Sequence, residues 1–276
     1  MTPEVLVPTS ADEAVSLYGN GEGLTVFAGG TILLPEIAAG RVRPERTLML
    51  HKAGLDTIRS EGGRIVIGAT TPVSALVGHP TEILAQTARH IADAEVRRNA
   101  TVGGNICAPA ASDAQRGDLG APLIALGARV RSTGAGGERV EAVEDFLAGD
   151  RAGRLVLEVE FDEVERRTSG DGLRRRHAHS YSLASVVGAI RADTSELRLA
   201  AGGVAPTAVR LRTVEQTRNP DDVAKDVEPV DDAVASAVYR SAVLPKLVLE
   251  IDIDTQVQAV PDRNPITDNE GVLDRR

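Results

Sequence analysis

Two glycine pairs are the residues best placed to do chemistry in this chain. Gly29-Gly30-Thr31 follows the apolar, β-branched run Leu24-Thr25-Val26-Phe27-Ala28, and Gly103-Gly104-Asn105 follows Asn99-Ala100-Thr101-Val102. A glycine pair after a buried strand lets backbone approach a ligand closely, and consecutive amides at a turn or helix start can hydrogen-bond phosphate oxygens without a lysine. A single Gly-Gly-Thr is more often a plain turn. Two such turns, each flanked by small or hydroxyl residues, point toward a dinucleotide. Other nucleotide and catalytic signatures are missing. A G-x-G-x-x-G built on Gly134 and Gly136 has Arg139 at its last glycine, and no G-x-x-x-x-G-K, H-E-x-x-H or G-x-S-x-G occurs.

Three further clusters carry weaker signals. His177 and His179 lie two apart, so a strand would put both imidazoles on one face; with five histidines in all and Arg174-Arg175-Arg176 just before them, a metal site is the rarer reading. The triple arginine suits a solvated face, or the pairing of acidic groups, a cofactor phosphate or a partner. Cys107 follows the second glycine pair and reads as a small packed residue, because no His–Asp constellation can be assigned to it. No catalytic side chain and no metal ligand is assigned.

Composition narrows the classes. The chain has 276 residues, 42% hydrophobic and 26% charged, enough for one large domain or two to three small ones. A single cysteine excludes a disulfide framework and any iron–sulfur cluster held by this chain alone. Aromatics make up 2%, with no Trp, which speaks against a base-stacking nucleic-acid platform, and the net charge of −9 argues against a polyanion held by charge alone. The amino terminus lacks the basic and apolar segments of a secretory signal, and no stretch approaches a membrane span of about 18 apolar residues. A cytoplasmic location is the expectation.

The elements that must hold the glycine pairs follow from pattern. Ser10 with Glu13 predicts a capped helix whose buried face is Ala14, Leu17 and Tyr18. Leu24 to Ala28 predicts a strand, ended by the first glycine turn and followed by a short helix over 32–37. Thr71-Pro72 predicts a helix start. Leu84, Ala88, Ile91, Ala92 and Val96 recur at helical spacing and predict one amphipathic stretch to about Arg98. Leu119 to Ala128 predicts a packed helix, 129–133 and 139–143 a hairpin, and Leu155 to Phe161 an alternating strand. The charged, glycine-containing run Asp162 to Arg176 marks a boundary. Strands near 183–190 and 197–204 and helices from about Asp231 to Leu249 complete the chain, and 257–276 is a polar tail. With no internal repeat, this mixture predicts an α+β fold.

Ala28-Gly29-Gly30-Thr31, Ile67-Gly68-Ala69-Thr70-Thr71, the run Arg98 to Ile106, Asp118-Leu119 ahead of Pro122 to Ala128, Ala201-Gly202-Gly203-Val204-Ala205-Pro206-Thr207 and Tyr239-Arg240 occur in an order that resembles the FAD-binding medium subunit of the molybdenum hydroxylases, the xanthine dehydrogenase and carbon monoxide dehydrogenase family. The resemblance implies a PCMH-type, vanillyl-alcohol oxidase-like FAD-binding domain over 1–165, with subdomains of about 1–56 and 57–165, and a carboxy-terminal α+β domain of the CO dehydrogenase flavoprotein type over 166–256. It implies non-covalent FAD between the subdomains, with Val26, Phe27, Ala28, Gly29, Gly30, Thr31, Ile32 and Leu33 and then Thr101, Gly103, Gly104 and Asn105 at the pyrophosphate. Asp113 and Asp118 compete for a ribityl or ribose contact, and ungapped counting back from Ala128 selects Asp118. Arg174, Arg175 and Tyr181 are loose matches for residues beside the flavin ring. Ile32 departs from the family's usual polar residue, so backbone contacts must suffice there, and Cys107 to Gly117 lacks the usual Ser-Pro run.

The same resemblance implies partners: a large subunit with the molybdenum cofactor, a small subunit with two-iron two-sulfur clusters, a dimer of heterotrimers, and an external electron acceptor. FAD suits such a junction because it works at one- and two-electron levels, the protein supplying position and electrostatics. Two other readings stand beside it: a stand-alone flavin oxidase or dehydrogenase, and a non-catalytic scaffold that has lost FAD.

Overall fold

The computed structural model describes residues 4–108, 117–174 and 182–251. Three sheets follow one another along the chain. The first is a three-stranded parallel sheet of order β1-β3-β2, from β1 (Glu4–Leu6), β2 (Leu24–Phe27) and β3 (Arg46–Met49). Helix α1 (Ala11–Tyr18) links its first two strands, and α2 (Leu33–Ala38) leaves the first glycine turn. Ser10 caps α1 by accepting from the Glu13 amide at 3.1 Å, while the Glu13 carboxylate accepts from the amide and hydroxyl of Thr9, both at 2.7 Å. The box thus closes one residue earlier than its usual form. Of the predicted inner face, Ala14 and Tyr18 are fully buried and Leu17 half-buried.

The second sheet is antiparallel, of order β4-β5-β8-β6-β7, from β4 (Ile58–Glu61), β5 (Arg64–Gly68), β6 (Arg129–Gly134), β7 (Arg139–Ala142) and β8 (Arg154–Asp162). The central strand β8 reads as simple alternation in sequence, but its residues serve two cores. Arg131 pairs with Glu158 whereas Ser132 pairs with Val156, so Leu157 is the extra residue of a β-bulge. The bulge shifts the phase. Leu155 and Leu157 pack with Ala14, Tyr18, Leu48 and Leu50 of the first part, whereas Val159 and Phe161 join the core of the second.

Helices α3 (Glu82–His90), α4 (Ala94–Asn99), α5 (Val102–Ile106), α6 (Gly120–Ala125) and α7 (Val143–Ala148) cover this sheet. Three expectations change here. Pro72 is extended at ψ 142 and precedes a single 3-10 turn, Val73–Leu76, rather than opening an α-helix. The predicted amphipathic stretch to Arg98 is two helices, interrupted at Ile91–Asp93 where Ala92 has φ 43. The second glycine pair lies inside α5, in its first turn, instead of forming a turn of its own.

The third sheet, of order β12-β11-β10-β9, consists of β9 (Arg166–Arg174), β10 (Ser182–Arg191), β11 (Leu197–Gly202) and β12 (Val209–Arg210). The charged run after Asp162 is therefore mostly strand, with only residues 163–165 outside strands before it. Backbone pairing with β10 overrides the polar composition. One face of this sheet, including Val186 and Leu199, packs on α8 (Arg212–Thr217), α9 (Val223–Asp226) and α10 (Ala237–Glu250); the other, including Val187, Ala189 and Ala200, joins the second core. Every residue of α6 is buried, as a helix held between two sheets requires. Among the described residues no helix is long and apolar enough to cross a membrane.

Candidate functional site

The two glycine segments, some seventy residues apart in sequence, lie against each other in space. A Cβ on Gly29 would sit 1.8 Å from the Asn99 carbonyl oxygen, so the first turn rests directly on the backbone between α4 and α5. Gly30 has φ 72, the left-handed region that glycine enters freely. A cavity of about 460 Å³ opens along this contact.

The expected residues gather at that cavity with few exceptions. Val26, Ala28, Gly29, Gly30, Thr31, Ile32 and Leu33 line one side, and Thr101, Gly103, Gly104, Asn105 and Asp118 the other. Phe27 is the correction: strand alternation turns its ring away, under Gly30, where an added Cβ would meet it at 2.6 Å. Arg174 ends β9 but its side chain is outside the described residues, as are Arg175, His177, His179, Tyr181 and Asp113 entirely. Among the described residues no group of His, Cys, Asp or Glu could hold a metal ion.

The two glycine pairs differ in what they offer a ligand. The amides of Gly29, Gly30, Thr31 and Ile32 find no acceptor among the described residues, which leaves four successive N–H groups beside the cavity. Such a run of open donors suits an anion. In α5 the amides are already used: Val102 donates to Thr71 O at 3.0 Å, Gly103 to Ala69 O at 2.8 Å and Gly104 to the Thr101 hydroxyl at 3.1 Å. The second pair therefore contributes space. Gly103 packs on Ala69, 2.9 Å from an ideal Cβ, whereas the same atom on Gly104 would meet only Thr101 Oγ1.

Asn105 is buried and its Oδ1 accepts from the Leu119 amide at 2.9 Å, which fixes the start of α6 and brings Asp118 to the cavity rim. Asp118 also lines a second cavity of about 190 Å³, walled by Gln86, Thr87 and His90 of α3 and by Gly170, Ser182 and Ser185 of β9 and β10. One carboxylate thus stands where the two spaces meet. The smaller is polar, the larger mostly apolar.

Pattern reading missed several residues of the larger cavity. Ile91, Ala92 and Val96 form an apolar wall at the break between α3 and α4, and Arg154, Leu155 and Val156 arrive from β8. The Arg154 guanidinium is spent on the hairpin opposite, donating to Ser132 Oγ and O and to the carbonyls of Ala135 and Gly137. It supplies positive charge to the wall with few donors to spare; burial pulls its pKa down, but an arginine stays cationic. Glu36, held by Arg41 through paired bonds of 2.5 and 3.0 Å, also lines the cavity. Burial pushes the Cys107 thiol up to about 11, so it is protonated at neutral pH.

Two α+β parts meet at a cavity lined by a glycine turn with open amides and by the Asp118 carboxylate, the setting of a dinucleotide-binding protein. Its family is specific. Residues 2–161 match the model of the FAD binding domain in molybdopterin dehydrogenase, and the chain belongs to that family. It is 28% identical to the carbon monoxide dehydrogenase medium chain of Hydrogenophaga pseudoflava over 89% of this chain and 94% of that one. It is 27% identical to the nicotine 6-hydroxylase medium subunit of Paenarthrobacter nicotinovorans, over 87% and 93% respectively. Superposed on the carbon monoxide dehydrogenase of H. pseudoflava lacking the Mo-pyranopterin moiety of its molybdenum cofactor, it gives a TM-score of 0.78 at 27% identity, covering 91% of this chain and 97% of that one. The chain is therefore an α+β flavoprotein of the oxidoreductase class.

Proposed function

We propose that this chain is the electron-transfer flavoprotein of a molybdenum hydroxylase complex. The pyrophosphate of non-covalent FAD rests on the amides of Gly29 to Ile32, Gly104 leaves room opposite, and Asp118 accepts from ribityl or ribose hydroxyls where the cofactor passes into the smaller cavity. FAD, when bound, takes up and releases electrons singly or in pairs. The chain orients it, shields one end in the larger cavity and presents the other beside β9 and β10. In this reading a small iron–sulfur subunit delivers the electrons and an external acceptor removes them, while a large molybdenum subunit hydroxylates the substrate. On the same reading residues 1–165 are the FAD-binding domain and 166–256 the carboxy-terminal domain, whose strands β9 and β10 border the smaller cavity.

The observation that carries this reading is the run of four open amides beside a cavity shared by two parts of the chain. Amides with no protein acceptor at the edge of a cavity are available to an anion bound there. The relatives also bear on substrate: their names refer to carbon monoxide, nicotine and 6-hydroxypseudooxynicotine, at 26–28% identity to this chain in each case. Related chains beside different substrates favour a reading in which substrate choice lies on another subunit.

The test is purification of the chain with whatever accompanies it, followed by absorbance and identification of the subunits. A flavin spectrum with a large and a small iron–sulfur subunit is the expected result. A yellow protein that turns over a substrate alone would replace this reading with the stand-alone oxidase, and a colourless one that takes up no added FAD would replace it with the scaffold.

A further inference from the structure

The wall formed by Ile91, Ala92 and Val96 lies where a helix stops although its sequence pattern would continue. Apolar residues at 84, 88, 91, 92 and 96 would all fit one helical face. Instead α3 ends at His90, Ala92 turns to φ 43, and α4 begins at Ala94. A left-handed alanine is costly, because its Cβ crowds the following carbonyl. Backbone strain of this kind persists where surrounding contacts impose it, and it gathers at ligand sites.

Two side chains bond across the break. Asp93 caps α4, accepting from the Val96 amide at 2.7 Å, a role that any helix start would use. Arg97 does something more particular: its Nη1 folds back across the break and donates to the carbonyls on both sides of the turn, Ile91 O at 2.9 Å and Ala92 O at 2.7 Å. Both carbonyls belong to residues that line the larger cavity, but Arg97 does not line it. Its contact with a ligand passes through the Ile91–Ala92 turn.

We infer that Arg97 is a positioning residue for the bound dinucleotide, holding the Ile91–Ala92 turn in its left-handed form so that Ile91, Ala92 and Val96 present a flat apolar wall to a planar ring. The inference rests on the FAD reading above. FAD carries two such rings, adenine and flavin, and the wall's chemistry suits either. Without Arg97, Ala92 returns to negative φ and the wall turns out of register with the cavity.

The test titrates the full chain, freed of flavin, with FAD and with FMN, and records the melting temperature of each apo variant. Arg97→Ala is expected to weaken FAD binding about tenfold, the factor matching the strain it releases, with the apo melting temperature little changed. Adding Ala92→Gly to Arg97→Ala is expected to bring the FAD Kd back to within about threefold of wild type, because glycine enters the left-handed region without cost. A merely structural arginine would not be rescued in that way. Arg97→Gln, which keeps one donor, carries the same measurement if the alanine variant does not fold, with a loss of about threefold expected. Unchanged FMN affinity assigns the wall to adenine, and a parallel loss of FMN with a shifted visible spectrum assigns it to the flavin; both support the inference. An FAD Kd within twofold of wild type in Arg97→Ala, or a double variant no better than the single, overturns it and leaves the FAD reading intact. A wild-type chain that binds no FAD overturns both.

Discussion

Gly104→Val isolates the cofactor role of the second glycine pair from its role in folding. An added Cβ there would lie 2.9 Å from Thr101 Oγ1 and, beyond its own helix backbone and chain neighbours, would meet nothing else within 4 Å, so the Cβ needs only that one hydroxyl to shift. Losing the Thr101 cap on the Gly104 amide costs about 1 kcal/mol. Replacing glycine inside a helix returns up to about 0.5 kcal/mol of that. The fold is therefore expected to change by less than about 1 kcal/mol. FAD is expected to suffer more, because the valine methyls stand at the cavity lining. Inserting methyl groups into a packed site costs about 1–3 kcal/mol, which is roughly 5- to 150-fold in Kd. The contrast with neighbouring glycines is what makes the test clean: Gly29 and Gly103 would drive a Cβ into Asn99 O and Ala69 O, at 1.8 and 2.9 Å, so their variants report on folding. The assay is the flavin-to-protein ratio after purification and the FAD Kd by fluorescence quenching, beside a thermal melt of the apo chain. Wild-type flavin content in a well-folded Gly104→Val would refute the placement of FAD against α5.

Gly30→Ala combines a φ of 72 with a contact 2.6 Å from the Phe27 ring, and is expected to lose FAD while costing the fold about 1–2 kcal/mol, read as flavin content and a melting temperature a few degrees lower. Cys107, whose thiol burial raises to about 11, is expected to alkylate slowly at pH 8, faster as pH approaches 11, and more slowly with FAD present; mass spectrometry of the labelled chain follows it. Because an unfolded thiol ionises near 8.5 and the folded one near 11, that residue also makes stability fall as pH rises between those values. Arg240→Ala leaves the Asp232 carboxylate, bonded to it at 2.7 Å, without its cation in a site where the arginine side chain is 1% exposed; a loss of about 3–5 kcal/mol in urea denaturation is expected. Burial pushes the Asp232 carboxyl up, but Arg240 and the amides of Ala235 and Val234 together hold it below its ordinary value, so its contribution is present above pH about 4 and disappears as pH falls through the lowered value. In the Arg240→Ala variant that acid loss is expected to begin at higher pH.

Elements with a strong local signal appear where their residues predict them. Leu24 to Phe27 is a strand, the glycine segment around 134–137 is the tip of a hairpin, and the helix from Gly120 is as buried as its composition demands. Two misreadings share a cause, which is tertiary contact overriding local pattern: Pro72 is extended because Thr101 bridges to it, and β9 forms on a polar sequence because β10 pairs with it. The break at Ala92 is different, since the bonds that span it, from Asp93 and Arg97, are local ones that helical spacing does not reveal. The site shows the same division. Glycine pairs can be found in a sequence, because close approach and open amides demand that residue type. Ile91, Val96 and Leu155 cannot, since an apolar residue facing a cavity and one facing a core look alike in sequence.

By itself, the sequence determined that this chain carries two glycine-marked phosphate candidates, no cysteine cluster and an aliphatic α+β core, and the order of its motifs pointed to one flavoprotein family. Tertiary structure decided which glycine pair has amides to give. Both pairs satisfy the same local rule, yet the strap from Ala69 to Thr71 consumes the donors at the start of α5 while nothing among the described residues consumes those of Gly29 to Ile32. Hydrogen-bond supply at a turn depends on what else folds beside it. That neighbour, seventy residues away in the chain, is set by packing and not by the spacing of residues along it.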